Sequence, residues 1–276
     1  MLSAVMATLV MGQGPERRTS ITGEVRIHAG FASQTLRNRR RISVYLPPGY
    51  DRSKSRYRVL YMHDGQNVFD GMTSYIPNAE WRADETAQAL IESRLIEPLI
   101  IVGIDNAAAD RANEFLPTRR GEMGGKASQY GDFVVKEVMP FINRTYRTSI
   151  RREDTAIAGS SFGAVISLCI ARQYPEVFGS VAACSPSVWW DDRIMLQRVA
   201  NWPKSPRPRI WIDAGTKEGP QMEVDARDLA SAFERQGWRR GLDLALYIDR
   251  DAEHTESAWA RRFGEILMWF NRRPGR

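Results

Sequence analysis

The sequence predicts an α/β fold: one mostly parallel sheet of about eight strands, helices on both faces, and an antiparallel N-terminal edge. Three observations predict it. Short, near-continuous apolar runs recur along the chain, for example residues 57–62 (YRVLYM) and 99–104 (LIIVGI), and strands buried on both faces read this way. Segments of helical periodicity separate these runs, as the crossovers of a parallel sheet require. The first two strand patterns have no helical segment between them, so they should pair antiparallel.

The elements follow in order. Residues 23–32 and 41–46 read as the first two strands, joined through 33–40. The second stops at Pro47-Pro48-Gly49-Tyr50, because proline cannot donate to a ladder. The third and fourth strands are 57–62 and 99–104. A fifth contains 156–158 and runs into Gly159-Ser160-Ser161-Phe162-Gly163. Residues 180–184 (SVAAC), 209–214 (RIWIDA) and 242–248 (LDLALYI) complete the set. Helical periodicity fills 83–95, 130–146, 164–174, 223–236 and 255–270. The second of these places Phe133, Val134, Val138, Phe141 and Ile142 on one side, and Pro140 inside it is expected to kink it. The third stops before Pro175, and Thr255 or Ser257 is suited to cap the last. No repeat or low-complexity linker divides the chain, so one domain is expected over 23–276, after a leader over 1–22.

With 276 residues, 43% of them hydrophobic and 26% charged, the chain can bury a substantial core without staples. The net charge is +6 and the pI about 9.5. Its Lys and Arg residues are scattered. The densest spots are 37–41, Arg151-Arg152, Arg239-Arg240, Arg261-Arg262 and the tail Arg272, Arg273 and Arg276. No nucleic-acid motif accompanies them, so the basic surface reads as solvated and no nucleic-acid partner is expected; an anionic substrate stays open. Cys169 and Cys184 each sit in an apolar run and read as core residues, which excludes a disulfide framework and a zinc cluster. No metal or cofactor is implied. Residues 2–11 are apolar and precede Gly-Gln-Gly-Pro. The stretch is like the middle of an export signal but lacks the positive start, and it is too short to span a bilayer. A clipped signal and a plain leader both fit, so the compartment stays open between cytoplasmic and periplasmic or secreted.

The chemistry centres on Gly159-Ser160-Ser161-Phe162-Gly163, which matches G-x-S-x-G between a strand and a helix. There a serine sits on a tight turn above the sheet edge, and the free N–H groups of the following helix face a developing oxyanion. Ser161 is the expected nucleophile. The chain holds three histidines, His28, His63 and His254, and only His254 follows Ser161. His254 is the expected base, since nucleophile, acid and histidine run in that chain order in the α/β-hydrolase fold. His28 reads as structural at the sheet edge, and His63 as a residue that holds its loop in shape. The acid should lie after the seventh strand, where Glu218 stands on the loop and Asp213 still within the strand pattern. The loop position favours Glu218, with Asp213 as the alternative. The oxyanion donors are expected to be the backbone N–H groups of Phe162 and of Gln66, in the loop His63-Asp64-Gly65-Gln66-Asn67, with Asp64 ordering that loop through Asx-type bonds. Trp189, Trp190 and Trp81 are candidate pocket walls, with ordinary core as the competing reading.

Taken together, Ser161 in GSSFG, the HDGQN loop, GTKEG at 215–219 and DAEHTESAW at 251–259 resemble the putative-esterase family of α/β-hydrolases. That family includes esterase D, enterochelin and bacillibactin esterases, feruloyl and acetylxylan esterases, and mycolyltransferases. The resemblance spans residues 23–270 and implies carboxylic-ester hydrolysis by a serine enzyme. The run HDGQNVF, then Ile104-Asp105-Asn106, then Ser185-Pro186-Ser187-Val188-Trp189-Trp190 is most similar to the branch with esterases of catecholate siderophore trilactones. Glu218 stands where related feruloyl esterases carry the acid of a Gly-Thr-x-Asp element. Phe115 and Leu116 depart from the Tyr-Ser of that branch's Arg-x-x-Glu-Tyr-Ser-Pro. The resemblance leaves three substrate classes open: siderophore trilactones, feruloyl or acetyl esters of carbohydrate, and acyl transfer to a sugar or lipid. A non-catalytic binding protein of this fold is a further alternative.

Overall fold

The computed structural model describes residues 16–272. The apolar stretch 2–11 and the tail residues Arg273 and Arg276 lie outside them. Eight strands form one sheet: β1 (Glu24–Ala32), β2 (Arg39–Leu46), β3 (Arg58–His63), β4 (Leu99–Ile104), β5 (Thr155–Ser160), β6 (Ser180–Cys184), β7 (Arg209–Gly215) and β8 (Leu244–Asp249). Their order is β1-β2-β4-β3-β5-β6-β7-β8. β2 pairs antiparallel with both β1 and β4, and every other pair is parallel. This is the α/β-hydrolase arrangement with the expected antiparallel edge.

The eight helices are α1 (Ala83–Glu92), α2 (Arg111–Phe115), α3 (Ala127–Phe133), α4 (Met139–Thr145), α5 (Phe162–Gln173), α6 (Trp190–Ala200), α7 (Pro220–Arg235) and α8 (Glu256–Asn271). Strand side chains alternate between two cores, as the pleat requires. In β3, Val59 and Tyr61 join a large cluster with α3 to α7, while Leu60 and Met62 join Trp81, Trp259 and Phe263 beneath α1 and α8. Among the described residues, no helix is long and apolar enough to cross a membrane.

Three local features differ from the sequence reading. The segment expected as one helix over 130–146 is α3 and α4 joined by a π-helical stretch, Val134–Val138. Pro140 lacks the N–H that would close onto the preceding turn, and the chain answers with wider turns. Helix α6 was not foreseen. Its residues Asp191, Asp192 and Arg193 have positive φ, and Arg193 is held by Asp225 at 2.9 Å, so helical periodicity is broken where the helix begins. Residues 16–22, grouped with the leader, are tied to the body. Arg17 Nη1 donates to the Met72 carbonyl at 2.8 Å, Ser20 N–H to Asp70 at 3.2 Å and Thr22 N–H to Asp84 at 2.6 Å.

The antiparallel edge is fastened by charge. Arg40 of β2 donates to both carboxylate oxygens of Glu114 in α2, at 3.0 and 2.9 Å, and both side chains are buried. Removing one partner strands the other charge in the interior. Glu114→Ala should therefore lower the unfolding free energy by about 3 kcal/mol or more, read from urea denaturation.

Candidate active site

Ser161, Gln66, Glu218 and His254 follow the C-terminal ends of β5, β3, β7 and β8, where loops converge. Ser161 stands between β5 and α5 with φ 58° and ψ −120°, a conformation that L-residues rarely adopt. Close packing enforces it. A Cβ on Gly159 would lie 2.7 Å from the carbonyl carbon of Gly163, so only glycine lets β5 and α5 approach this closely. Ser161 Oγ shares a hydrogen bond with Ser187 Oγ at 3.2 Å, and no hydrogen bond joins it to His254 in this arrangement. Phe162 N–H is the first of α5, where backbone donors have no partner inside the helix.

Opposite, β3 ends at His63 and the chain turns through Asp64 (φ 56°, ψ 48°) into a single 3-10 turn, Gly65–Asn67. A Cβ on Gly65 would lie 2.6 Å from the Gly103 and Ile104 backbone, so this loop too is pressed onto the sheet. Asp64 orders it, but not through Asx-type bonds. Arg111 Nε and Nη2 clasp both its oxygens at 2.7 Å, and Asn106 Nδ2 adds a bond at 2.6 Å. Burial pushes the Asp64 carboxyl up, but the facing guanidinium outweighs it and holds the group below the usual carboxylate range. Gln66 Oε1 accepts from Asn106 N–H at 3.2 Å, which fixes the residue whose own N–H was expected to face the oxyanion. His63 is buried and hydrogen-bonded to Tyr130 Oη at 3.0 Å. Burial pushes its imidazole down to about 3, so it is neutral and holds this loop's base. His28 bonds Tyr146 Oη at 2.6 Å at the sheet edge.

The loops after β7 and β8 are laced together. Thr216 N–H donates to the Asp249 carbonyl at 3.0 Å and Lys217 N–H to that of Ala252 at 2.9 Å. This lacing sets Glu218 against His254, whose Nδ1–H donates to Glu218 Oε2 at 2.8 Å. The Glu218 side chain is fully buried, and its Oε1 accepts from Gly215 N–H at 2.6 Å and from Ser185 Oγ at 2.7 Å. Of the two acids left open by the sequence, Glu218 is the one brought to His254. Asp213 lies inside β7, where it accepts from Trp211 Nε1 at 2.8 Å and from Ser185 N–H at 3.2 Å. With Nδ1 committed, Nε2 of His254 is the nitrogen able to exchange a proton.

The tryptophans divide. Trp189 is 49% exposed, 6.0 Å from the Phe162 ring, and can present a face to a ligand. Trp190 and Trp81 are buried, as the core reading left open by the sequence has it. Trp190 donates to Thr118 Oγ1 at 3.1 Å. Trp81 stacks at 5.8 Å on Trp259, whose ring meets His254 edge-on at 5.0 Å, so it buttresses the histidine from below. Residues given no role from sequence also converge: Arg111, 5.4 Å over the Phe162 ring, and Ser185, Ser187 and Arg262. The Ser-Pro-Ser run after the sixth strand was the visible signal for the two serines.

Among the described residues, Glu80, Asp84 and Glu85 form a group able to hold a metal ion, their ligand atoms within 4.8 Å of one another. It lies on and before α1, not on the loops carrying Ser161, Glu218 and His254. Burial pushes the Asp84 carboxyl up.

The family described as "Putative esterase" matches residues 33–270. The chain is 26% identical over 198 residues to ferri-bacillibactin esterase BesA of Bacillus subtilis, covering 63% of this chain and 65% of that one. It is 26% identical over 233 residues to an endo-1,4-beta-xylanase/feruloyl esterase of Xylanibacter ruminicola, covering 77% of this chain and 30% of the other. Among solved structures, the BES protein from Bacillus cereus superposes with a TM-score of 0.72 at 18% identity, over 95% of this chain and all of the other, a likeness of fold.

The turn at Ser161 depends on the absence of a side chain at Gly159. Gly159→Ala should leave a folded protein of lower thermal midpoint whose Ser161 is no longer labelled by a fluorophosphonate. Circular dichroism and gel-based labelling check the two effects.

Proposed function

The chain belongs to the putative-esterase family, and from that premise we propose that it is a serine carboxylic-ester hydrolase with Ser161 as nucleophile, His254 as base and Glu218 as acid. The observation that carries the reading is the 2.8 Å bond from His254 Nδ1 to the buried Glu218 carboxylate. That bond selects the tautomer whose Nε2 takes a proton, and it favours the imidazolium when one forms.

In the first step Ser161 Oγ attacks the ester carbonyl and its proton passes to His254 Nε2. The oxyanion is met by the N–H groups of Phe162 and Gln66, at a helix start and on a clamped turn. The proton then goes to the leaving alcohol, and an acyl-Ser161 remains. In the second step water gives its proton to His254 and attacks the acyl carbon, and Ser161 leaves with that proton.

For substrate, we favour esters flanked by an anionic aromatic group, of which siderophore trilactones are our first choice. The supporting features are the exposed Trp189 ring beside Phe162, the partly exposed Arg111 over Phe162, and the +6 net charge. A feruloyl ester of carbohydrate is the second reading, favoured by the same aromatic wall.

A panel of p-nitrophenyl acetate, methyl ferulate, acetylated xylan and a ferric catecholate trilactone tests the proposal. Ser161→Ala should lower kcat about 10,000-fold or more with the fold intact. Wild-type rates in that variant would sink the mechanism. Gln66→Ala should change kcat less than about tenfold, because the donor is backbone; a larger loss would give its side chain a part.

A further inference from the structure

Behind Glu218 lies a charge cluster that the proposed mechanism does not use. The side chains of Asp213 and Glu218 are 0% exposed and that of Arg262 is 1% exposed. Arg262 Nη2 lies 3.4 Å from Asp213 Oδ1 and 3.6 Å from Glu218 Oε1. It also donates to Ser185 Oγ at 3.2 Å. That hydroxyl donates to Glu218 Oε1 at 2.7 Å and accepts from Trp259 Nε1 at 2.9 Å, so it links cation, acid and the histidine's aromatic neighbour.

Two buried acids thus share one buried guanidinium. Burial pushes the Asp213 carboxyl up, and the facing Arg262 guanidinium works against that. With both acids ionised, one negative charge is left over until His254, on the other oxygen of Glu218, gains a proton. We propose that Asp213 and Arg262 are positioning residues that set the basicity of His254 with opposite signs. Asp213 supplies the second buried negative charge that favours the imidazolium. Arg262 opposes it by placing a positive charge against both acids in a site closed to water. This deepens the triad proposed above and rests on it for its catalytic meaning.

Glu256 interacts with His254, and it and the other charges around the cluster are untouched by the substitutions below. Glu256 starts α8 and accepts from Asn67 Nδ2 at 3.0 Å. Asp249 ends β8, 3.9 Å from Arg262 Nη1. Glu253 and the Lys217–Asp251 pair, 3.4 Å apart, occupy the adjoining loops. Asp64 and Arg111 lie beyond Glu256.

The test is an NMR titration of His254, assigned with His254→Asn, in variants whose fold is checked by circular dichroism. Asp213→Asn is nearly isosteric and should lower the His254 midpoint by about one pH unit. Arg262→Met should raise it. Arg262→Lys should leave it in place, and Asp213→Asn with Arg262→Met should return it toward wild type. If Asp213→Asn leaves the midpoint unmoved, or if both single variants move it the same way, the proposal falls. Should Arg262→Met not fold, Asp213→Asn still decides. The titration needs no turnover, so it can succeed or fail separately from the esterase reading, which Ser161 labelling and hydrolysis decide.

Discussion

A backbone contact too close for any side chain organises this molecule: Gly159 at the end of β5 against Gly163 in the first turn of α5. Because strand and helix meet there, the chain has no room to relax at Ser161, which stands at positive φ with its hydroxyl raised above the sheet edge. The same proximity points the unpaired N–H groups of α5 into the space that the hydroxyl faces. It also lets the loop after β3 settle on α5, where a Cβ on Gly163 would stand 3.3 Å from Asp64 Oδ2. Helix α5, the Ser161 turn and the loop after β3 are therefore one packed unit, and its geometry follows from the lack of side chains at its closest points.

Around that unit the supporting layer is specialised by side. On one flank the Asp64–Arg111 pair fixes a loop whose own backbone bonds amount to a single 3-10 turn, so charge adds there what a ladder supplies elsewhere. On the other flank aromatic stacking does the work. Phe263, Trp81 and Trp259 rise in sequence from the core beneath α8 to the edge of His254. His254, on a loop between β8 and α8, needs such a wall, since among the described residues its side chain bonds to Glu218 alone.

The sheet was legible in the sequence because buried parallel strands leave unbroken apolar runs, and the tight turn at Ser161 because its glycines are obligatory. What was not legible has physical reasons too. Pocket wall and core stayed open for Trp81, Trp189 and Trp190, since a tryptophan that follows a strand end can turn inward as easily as outward; of the three, Trp189 is the one exposed. Helix α6 was hidden because its first turn is left-handed and held by Arg193 reaching α7, a long-range contact with no local trace. The role of Asp64 was misread for the same reason: its partner Arg111 lies far along the chain, so only a local Asx bond suggested itself.

The choice between Glu218 and Asp213 shows best how sequence and structure inform each other here. Both acids follow one strand, and the sequence could rank them only by whether a residue sits in a strand or on a loop. In the fold they are neighbours within a single buried cluster, joined by Arg262 and Ser185. A strand residue such as Asp213 points where the pleat sends it, toward the core, and cannot bend to a histidine on the loop after β8. Glu218 can, because the turn at Gly215 folds back until its carboxylate receives that glycine's own N–H. The two carboxylates are thus not rivals for one place. One touches the histidine, and the other lies within the same field behind it, and that field is what any substitution in the cluster will disturb.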